Sequence, residues 1–317
     1  ENANKKDSVY WNAYRPVPLT LEESNDYVKK DSLQTLRKSE KYLDSIDAKG
    51  NKFKILDIIT GYTYKKSIDK WSFNYAGISD LASTSYNTVQ GWNINSGFSF
   101  RKWNEENGKY TYINSVFNYG FAEERLRVMG SYYHRFNNQN YAAISISGGS
   151  AVSQFNSANP ISNIVNTVSS LFFKDNYMKL YNKEFAQINY GQNVANGLYL
   201  NGKLEYELRK PLFNNTDYVI IKDSDFFTSN NPLAANDYLN APFEQHHLIK
   251  ASIFGRINFG QKYISRPDGK FNIRNGKYPT LTFNYEKAFA ATDKAYEFHA
   301  VSGSLYYDKT LGNKGTL

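Results

Sequence analysis

The residues best placed to do chemistry together are Glu205 and Glu207, flanked by Lys203 and Arg209. In an extended strand, residues two apart point the same way, so all four side chains share one face. Paired carboxylates on one face are what a glycosidase uses as acid and base. The cations interleaved with them favour a different reading, a solvated charge ladder lining a water-filled interior. Arg125 and Arg127 repeat the spacing, and Arg135 and Arg256 add further cations. Such a set either attracts an anion into a lumen or is balanced by Glu123, Glu124, Glu205 and Glu207. His246 and His247 are adjacent, so on a strand they fall on opposite faces and cannot chelate one metal. His134 and His299 stand apart from any ligand pattern, and nothing ties His134 to a particular Ser in a lipase-like constellation. The chain has no Cys and no phosphate-cradling glycine loop. No catalytic residue, metal or cofactor is expected.

The elements that carry these residues show a two-residue period from about Phe53 onward. Trp92, Ile94, Phe98 and Phe100 alternate with Asn93, Asn95, Ser99 and Arg101, and Glu105-Glu106-Asn107-Gly108 then reads as a turn. Ile113, Phe117, Tyr119 and Phe121 share a side. Leu126, Val128 and Tyr132 oppose Arg125, Arg127 and Arg135. The clearest case sets Leu198, Leu200, Leu204, Tyr206 and Leu208 against Asn201, Lys203, Glu205, Glu207 and Arg209. Ile249, Ala251, Ile253, Ile257 and Phe259 continue the pattern, as do Leu281, Phe283 and Tyr285. A soluble sandwich also alternates, but these strands run about 9–13 residues, as a tilted membrane strand requires. Their polar faces carry full charges in mid-strand, which a wet lumen tolerates and a sandwich core does not. Aromatic residues make up 16% of the chain, with 27 Tyr and 21 Phe, as in the girdles of outer-membrane barrels. Mean hydropathy is -0.62 and no apolar run is long enough for a spanning helix, so a closed barrel is the remaining way across a bilayer. The expected fold is therefore all-β: an antiparallel transmembrane β-barrel with about 10–12 strands present, covering residues 53–317. The apolar face of each strand should meet lipid.

Residues 1–52 read differently, as a helical periplasmic segment. Arg15-Pro16-Val17-Pro18 is stiff and extended. Thr20 and Glu23 form a capping box. Leu33, Leu36, Leu43 and Ile46 then follow at helical spacing up to a stop at Gly50, as one long helix or two shorter ones. A further helix interrupts the strands at Asn159–Phe173. There Asn159 is the expected cap and Pro160 sits in the first turn, with an apolar stripe of Ile161, Ile164, Val165, Val168 and Phe172 expected to dock on the rim or inner wall of the barrel. Asn214–Phe243, rich in Asn, Asp and Pro, reads as a long surface loop. No apolar leader precedes Glu1, and the chain stops after the strand-like Ser302–Tyr307 and a turn at Gly312-Asn313. It therefore reads as a mature fragment holding an incomplete barrel with an unpaired edge at Val301–Tyr307.

A set of segments in this order carries a resemblance. They are Trp11-Asn12 with Arg15–Thr20, Tyr86-Asn87-Thr88-Val89-Gln90-Gly91, Gln154-Phe155-Asn156, and Asn176-Tyr177-Met178-Lys179-Leu180-Tyr181. Glu205-Tyr206-Glu207-Leu208-Arg209, Gly260-Gln261-Lys262-Tyr263-Ile264 and Lys277–Phe283 complete it. Over essentially its whole length the chain resembles a Bacteroidota family of outer-membrane proteins of unknown function, often labelled as containing a carboxypeptidase-like regulatory domain. The resemblance implies a secreted precursor in which a small Ig-like module and periplasmic helices precede the barrel. The label refers to that accessory module and not to a protease. The family is distantly similar to barrels that insert or secrete proteins across outer membranes, but their Arg-Gly-Phe or Arg-Gly-Tyr signature does not occur here, which argues against an insertase.

The expected function is that of an outer-membrane scaffold or a component in protein export, assembly or surface display. The alternatives are a solute or anion channel and a barrel enzyme acting on lipid or glycan. Candidate lumen-lining charges are Arg125, Arg127, Lys203, Glu205, Glu207, Arg209 and Arg256. Expected partners are outer-membrane lipid and lipopolysaccharide, with other outer-membrane or periplasmic proteins. The net charge of +8 reads as scattered solvated Lys and Arg. No nucleic-acid partner is expected, because aromatic and charged residues alternate across opposite faces, whereas stacking and phosphate contact need them together.

Overall fold

The computed structural model describes residues 8–14, 17–78, 84–104, 107–156, 158–221, 226–266, 269–273 and 277–308. Arg15-Pro16, Glu105-Glu106 and the turn at Gly312-Asn313 lie outside the described residues. The chain divides into two compact units. One is built from the residues up to Lys52 with Lys65–Asp69, the other from Phe53–Tyr64 and the chain from Lys70 onward.

The first unit contains helices α1 (Ser8–Tyr14), α2 (Leu21–Lys38) and α3 (Glu40–Gly50). α2 begins where Thr20 Oγ1 accepts from the Glu23 amide at 3.2 Å and Glu23 Oε2 accepts from the Thr20 amide at 2.9 Å, a reciprocal capping box. Ser39 separates α2 from α3. Its backbone N–H donates to the Leu36 carbonyl while its hydroxyl oxygen accepts from the Tyr42 amide, so one residue closes the first helix and caps the second. Asp47 is buried and accepts from both the amide and the hydroxyl of Ser67, at 2.6 and 2.8 Å. Asn51 brackets the backbone of Lys65 with a donor and an acceptor. Polar contacts rather than a core therefore hold this unit: no side chain of α2 is buried.

The second unit opens with the short helix α4 (Asp57–Thr60) and continues as strands β1 (Tyr62–Lys66), β2 (Trp71–Tyr75), β3 (Thr84–Asn87), β4 (Gly91–Trp103), β5 (Tyr110–Gly120), β6 (Arg125–Arg135) and β7 (Ala143–Gln154). Helix α5 (Asn163–Phe173) intervenes. Then follow β8 (Leu180–Ala195), β9 (Leu198–Pro211), β10 (His246–Asn258), β11 (Lys262–Arg266), β12 (Gly269–Ile273), β13 (Thr280–Phe289) and β14 (Phe298–Tyr306). Twelve strands form one sheet in the order β1-β2-β4-β5-β6-β7-β8-β9-β10-β13-β14, with β3 pairing on β4; β11 and β12 form a separate hairpin. From β4 to β10 successive neighbours are antiparallel, as are β13 and β14, the pattern of a meander. Among the described residues β1 and β14 do not pair with each other, so the sheet is open rather than closed into a barrel, and β14 has a ladder on one side only, with β13.

The sheet is inverted in the sense that apolar side chains lie open on one face while charged ones are buried on the other. Leu204 and Ile253 are 49% and 55% exposed, and Leu126, Val128, Ile146 and Ile188 lie open with them. On the other face Glu205 and Glu207 are 2% and 1% exposed. Cross-strand register sets the difference. Ile188, Leu204 and Ala251 stand in one row, and Gln187, Glu205 and Lys250 in the next. One feature breaks the regularity. Gly149 has φ +136°, and a Cβ there would lie 2.1 Å from the Val128 carbonyl oxygen. The β6–β7 ladder stops at Met129 and Gly149; beyond that point β6 keeps its ladder with β5, and side chains rather than backbone link it toward β7 and β8.

Candidate functional site

The polar face of the sheet concentrates its charge where β8, β9 and β10 run side by side. Glu205 Oε2 accepts from Lys203 Nζ at 2.8 Å and Oε1 from Lys183 Nζ at 3.1 Å, and Lys250 Nζ lies 3.4 Å from it. Glu207 Oε2 accepts from Arg209 Nε and Nη2 at 2.8 and 2.6 Å, and its Oε1 meets Lys183 at 3.3 Å and Lys250. Lys183 and Lys250 thus bridge both acids. Taking an ionised carboxylate out of water costs several kcal/mol unless partners compensate it, and here four cations surround two acids. As a catalytic pair the carboxylates are poorly placed, because their oxygens are already committed to these neighbours.

A second charged cluster sits where the β6–β7 ladder has ended. Buried Arg127 makes a bidentate pair with Glu123, at 2.7 and 2.5 Å, and donates Nε–H to Asn182 Oδ1 at 2.7 Å. Ser150 also donates to Asn182 Oδ1, so these side chains span the missing ladder. Glu184 accepts from Arg125 at 3.4 Å and from Lys210 at 2.7 Å. Of the candidate lumen charges, then, Lys203, Glu205, Glu207 and Arg209 share one cluster and Arg125 and Arg127 the other. Arg256 joins neither; it lies over the Tyr199 ring at 5.3 Å. Lys183, Lys250, Asn182, Glu184 and Lys210 escaped the sequence reading. Lys250 alternates with the apolar Ile249 and Ala251, a signal that would have placed it on the charged face.

The strand ends beside Gly91 are closed by polar contacts between three connecting segments. The turn Tyr86–Gly91 is almost fully buried. Asn87 Oδ1 accepts from the amides of Val89 and Gln90, an Asx turn that fixes its shape. Asn166 of α5 donates to the Tyr86 carbonyl at 3.2 Å and accepts from the Met178 amide at 3.1 Å, while Thr167 Oγ1 accepts from the Tyr86 amide. From the other side Asn215 donates to the carbonyls of Thr88 and Val89. Asn230 makes both hydrogen bonds to the backbone of Leu180 and a third to Leu212. Val89, Met178 and Leu180 form a small apolar cluster beneath, with Val152, Ile161 and Leu212 against it.

Helix α5 differs from its sequence reading in two ways. It begins at Asn163, capped by Ser162, whose hydroxyl accepts from the Val165 amide; Asn159 precedes it with φ +47° and Pro160 lies outside it. Its buried face is Asn166, Ser169, Ser170 and Leu171. Ile161 packs against the apolar cluster, but Ile164, Val165, Val168 and Phe172 are exposed. The expected docking of the whole stripe is therefore corrected. The turn that α5 covers presents backbone donors and acceptors, and only the helix's amide and hydroxyl side chains can satisfy them.

The histidines serve as local contacts. His246 stacks on Tyr296 with ring centroids 3.7 Å apart, and His247 Nδ1 pairs with Thr292 Oγ1 at 2.9 Å. His134 Nδ1 pairs with Thr111 and His299 Nδ1 with Tyr285. Among the described residues no cluster of three or more His, Cys, Asp or Glu could hold a metal ion.

These features define an antiparallel β protein with an inverted sheet, charged clusters within it and a polar closure at one end. Residues 56–317 match the C-terminal domain of a family of unknown function, DUF5686, and the chain belongs to that family. No curated protein and no solved structure matches it.

Replacing Glu207 by Leu strands Arg209, Lys250 and Lys183 around a single acid and should cost about 3–5 kcal/mol in denaturant unfolding. A loss under about 1 kcal/mol would mean that the cluster is solvated and carries little weight.

Lys179 lies in the polar closure, where its Nζ donates to Thr228 Oγ1 and the Ser229 carbonyl. Burial without a carboxylate partner lowers its pKa from 10.5 to about 8. Between those values the folded chain has released a proton that the unfolded chain keeps, so stability rises with pH through this window. The wild-type urea midpoint should climb from pH 8 to pH 10 relative to Lys179→Met; parallel profiles would contradict the assignment.

Proposed function

We propose that this chain is the membrane-embedded region of a bacterial outer-membrane β-barrel protein that acts as a scaffold or component in protein export, assembly or surface display. The observation that carries the reading is the inverted sheet. Exposed apolar surface costs about 25 cal/mol per Å² in water and nothing comparable in lipid. β4 to β10 run from 11 to 16 residues each, enough to cross a bilayer at a tilt. The long connections at one end, carrying α5 and residues 212–245, fit the usual asymmetry of such barrels. In this reading outer-membrane lipid and lipopolysaccharide cover the apolar face, the N-terminal helices are periplasmic, and other outer-membrane or periplasmic proteins are partners. The resemblance to Bacteroidota outer-membrane proteins supports the same placement. The hydrogen-bonded closure over Tyr86–Gly91 favours a scaffold over an open pore.

A strain lacking the protein should lose a subset of its surface-exposed proteins, measured by surface labelling and mass spectrometry, while small hydrophilic solutes still enter at the normal rate. An unchanged surface proteome with slowed solute entry would transfer the assignment to a channel.

A further inference from the structure

At the opposite end of the strands from Tyr86–Gly91 lies a cavity of about 520 Å³, within the size range of small-molecule sites. Its lining includes Tyr133 and Arg135 of β6, Asn189 of β8, Tyr199 of β9 and Arg256 of β10, and Lys270 of β12 reaches its edge. Among the described residues, no carboxylate lines it. This sets it apart from the middle of the sheet, where Lys183, Lys203, Arg209 and Lys250 each meet an acid.

The polar groups here have capacity to spare. Arg135 donates Nε–H to the Gly108 carbonyl at 2.9 Å, which fixes the guanidinium and leaves its terminal nitrogens without a carboxylate among the described residues. Arg256 rests on the Tyr199 ring, a contact that orients a guanidinium without neutralising it. Asn189 Oδ1 is buried with no hydrogen-bond partner, an acceptor suited to a hydroxyl donor. Two guanidinium groups recognise the planar or tetrahedral oxygens of an acid, and amides with tyrosine rings recognise hydroxyls on a compact ring.

We propose that this cavity binds an anionic saccharide, a sugar ring bearing one phosphate or carboxylate. Arg135 and Arg256 hold the acid, and Asn189 accepts from a ring hydroxyl. The proposal goes beyond the scaffold reading and does not depend on it.

Calorimetric titration of the full chain in detergent with glucose 6-phosphate tests it, with glucose and inorganic phosphate as the comparison ligands. Glucose 6-phosphate should bind at least about tenfold more tightly than either, since each lacks one half of the recognised chemistry. Arg256→Gln, on an exposed side chain, should weaken that binding by about tenfold or more with unchanged unfolding. Lys210→Gln, outside the cavity, should leave it unaltered. Absence of binding at millimolar ligand, equal binding of glucose or inorganic phosphate, or an unaffected Arg256→Gln variant would each overturn the assignment.

Discussion

Glu205 and Glu207 cannot stay ionised inside a protein unless cations reach them, and the arrangement of the central strands follows from that need. β9 supplies both acids together with Lys203 and Arg209, but a single strand cannot enclose its own charges. β8 brings Lys183 and β10 brings Lys250, each placed by antiparallel register beside the acids. A slip of one residue in either ladder would turn these lysines to the opposite face and leave the carboxylates buried without them. The charge cluster therefore fixes register as much as it contributes stability. Replacing it with apolar residues of equal volume need not destabilise the sheet, but it would remove this constraint.

The same register turns Ile188, Leu204, Tyr206 and Ile253 outward, so burial of charge on one face and exposure of apolar surface on the other have one cause. At β6 the logic changes. Where Gly149 ends the ladder, Arg127, held by Glu123, takes over the joining role through Asn182, which also accepts from Ser150. Beyond the strand ends, amide side chains rather than a large apolar core hold the connecting segments together. Asn87, Asn166, Asn215 and Asn230 each bond backbone groups of other segments or of a tight turn. Amide–backbone bonds are directional and hold a defined geometry around a very small apolar cluster.

Much of this was legible in the sequence. Alternation along Leu198–Leu208 gave both the strand and its charged face, and Thr20 with Glu23 marked the start of α2 at the residue. The partners of the acids were less legible, because Lys183 and Lys250 are linked to them only by register, which a single chain does not display. Helix α5 reversed its expected orientation. Ile164, Val165 and Val168 announce an apolar face, but what lies beneath the helix is the backbone of Tyr86–Gly91, and it selects Asn166 and Thr167 instead. Three of the segments that carry the family resemblance, those at Tyr86–Gly91, Gln154–Asn156 and Asn176–Tyr181, meet in this closure, and Glu205–Arg209 forms the charge cluster.

In the proposed placement the apolar face of this sheet meets lipid while the charged face meets water or protein. Because the chain has no Cys, single cysteines can be introduced at Leu204 and Lys203, neighbours on opposite faces of β9. With each labelled by a fluorophore in lipid bilayers, a quencher carried on the acyl chains should strongly dim the label at 204 and leave the label at 203 nearly unchanged. Equal quenching at both positions, or none at 204, would contradict the inverted sheet as a membrane-embedded structure.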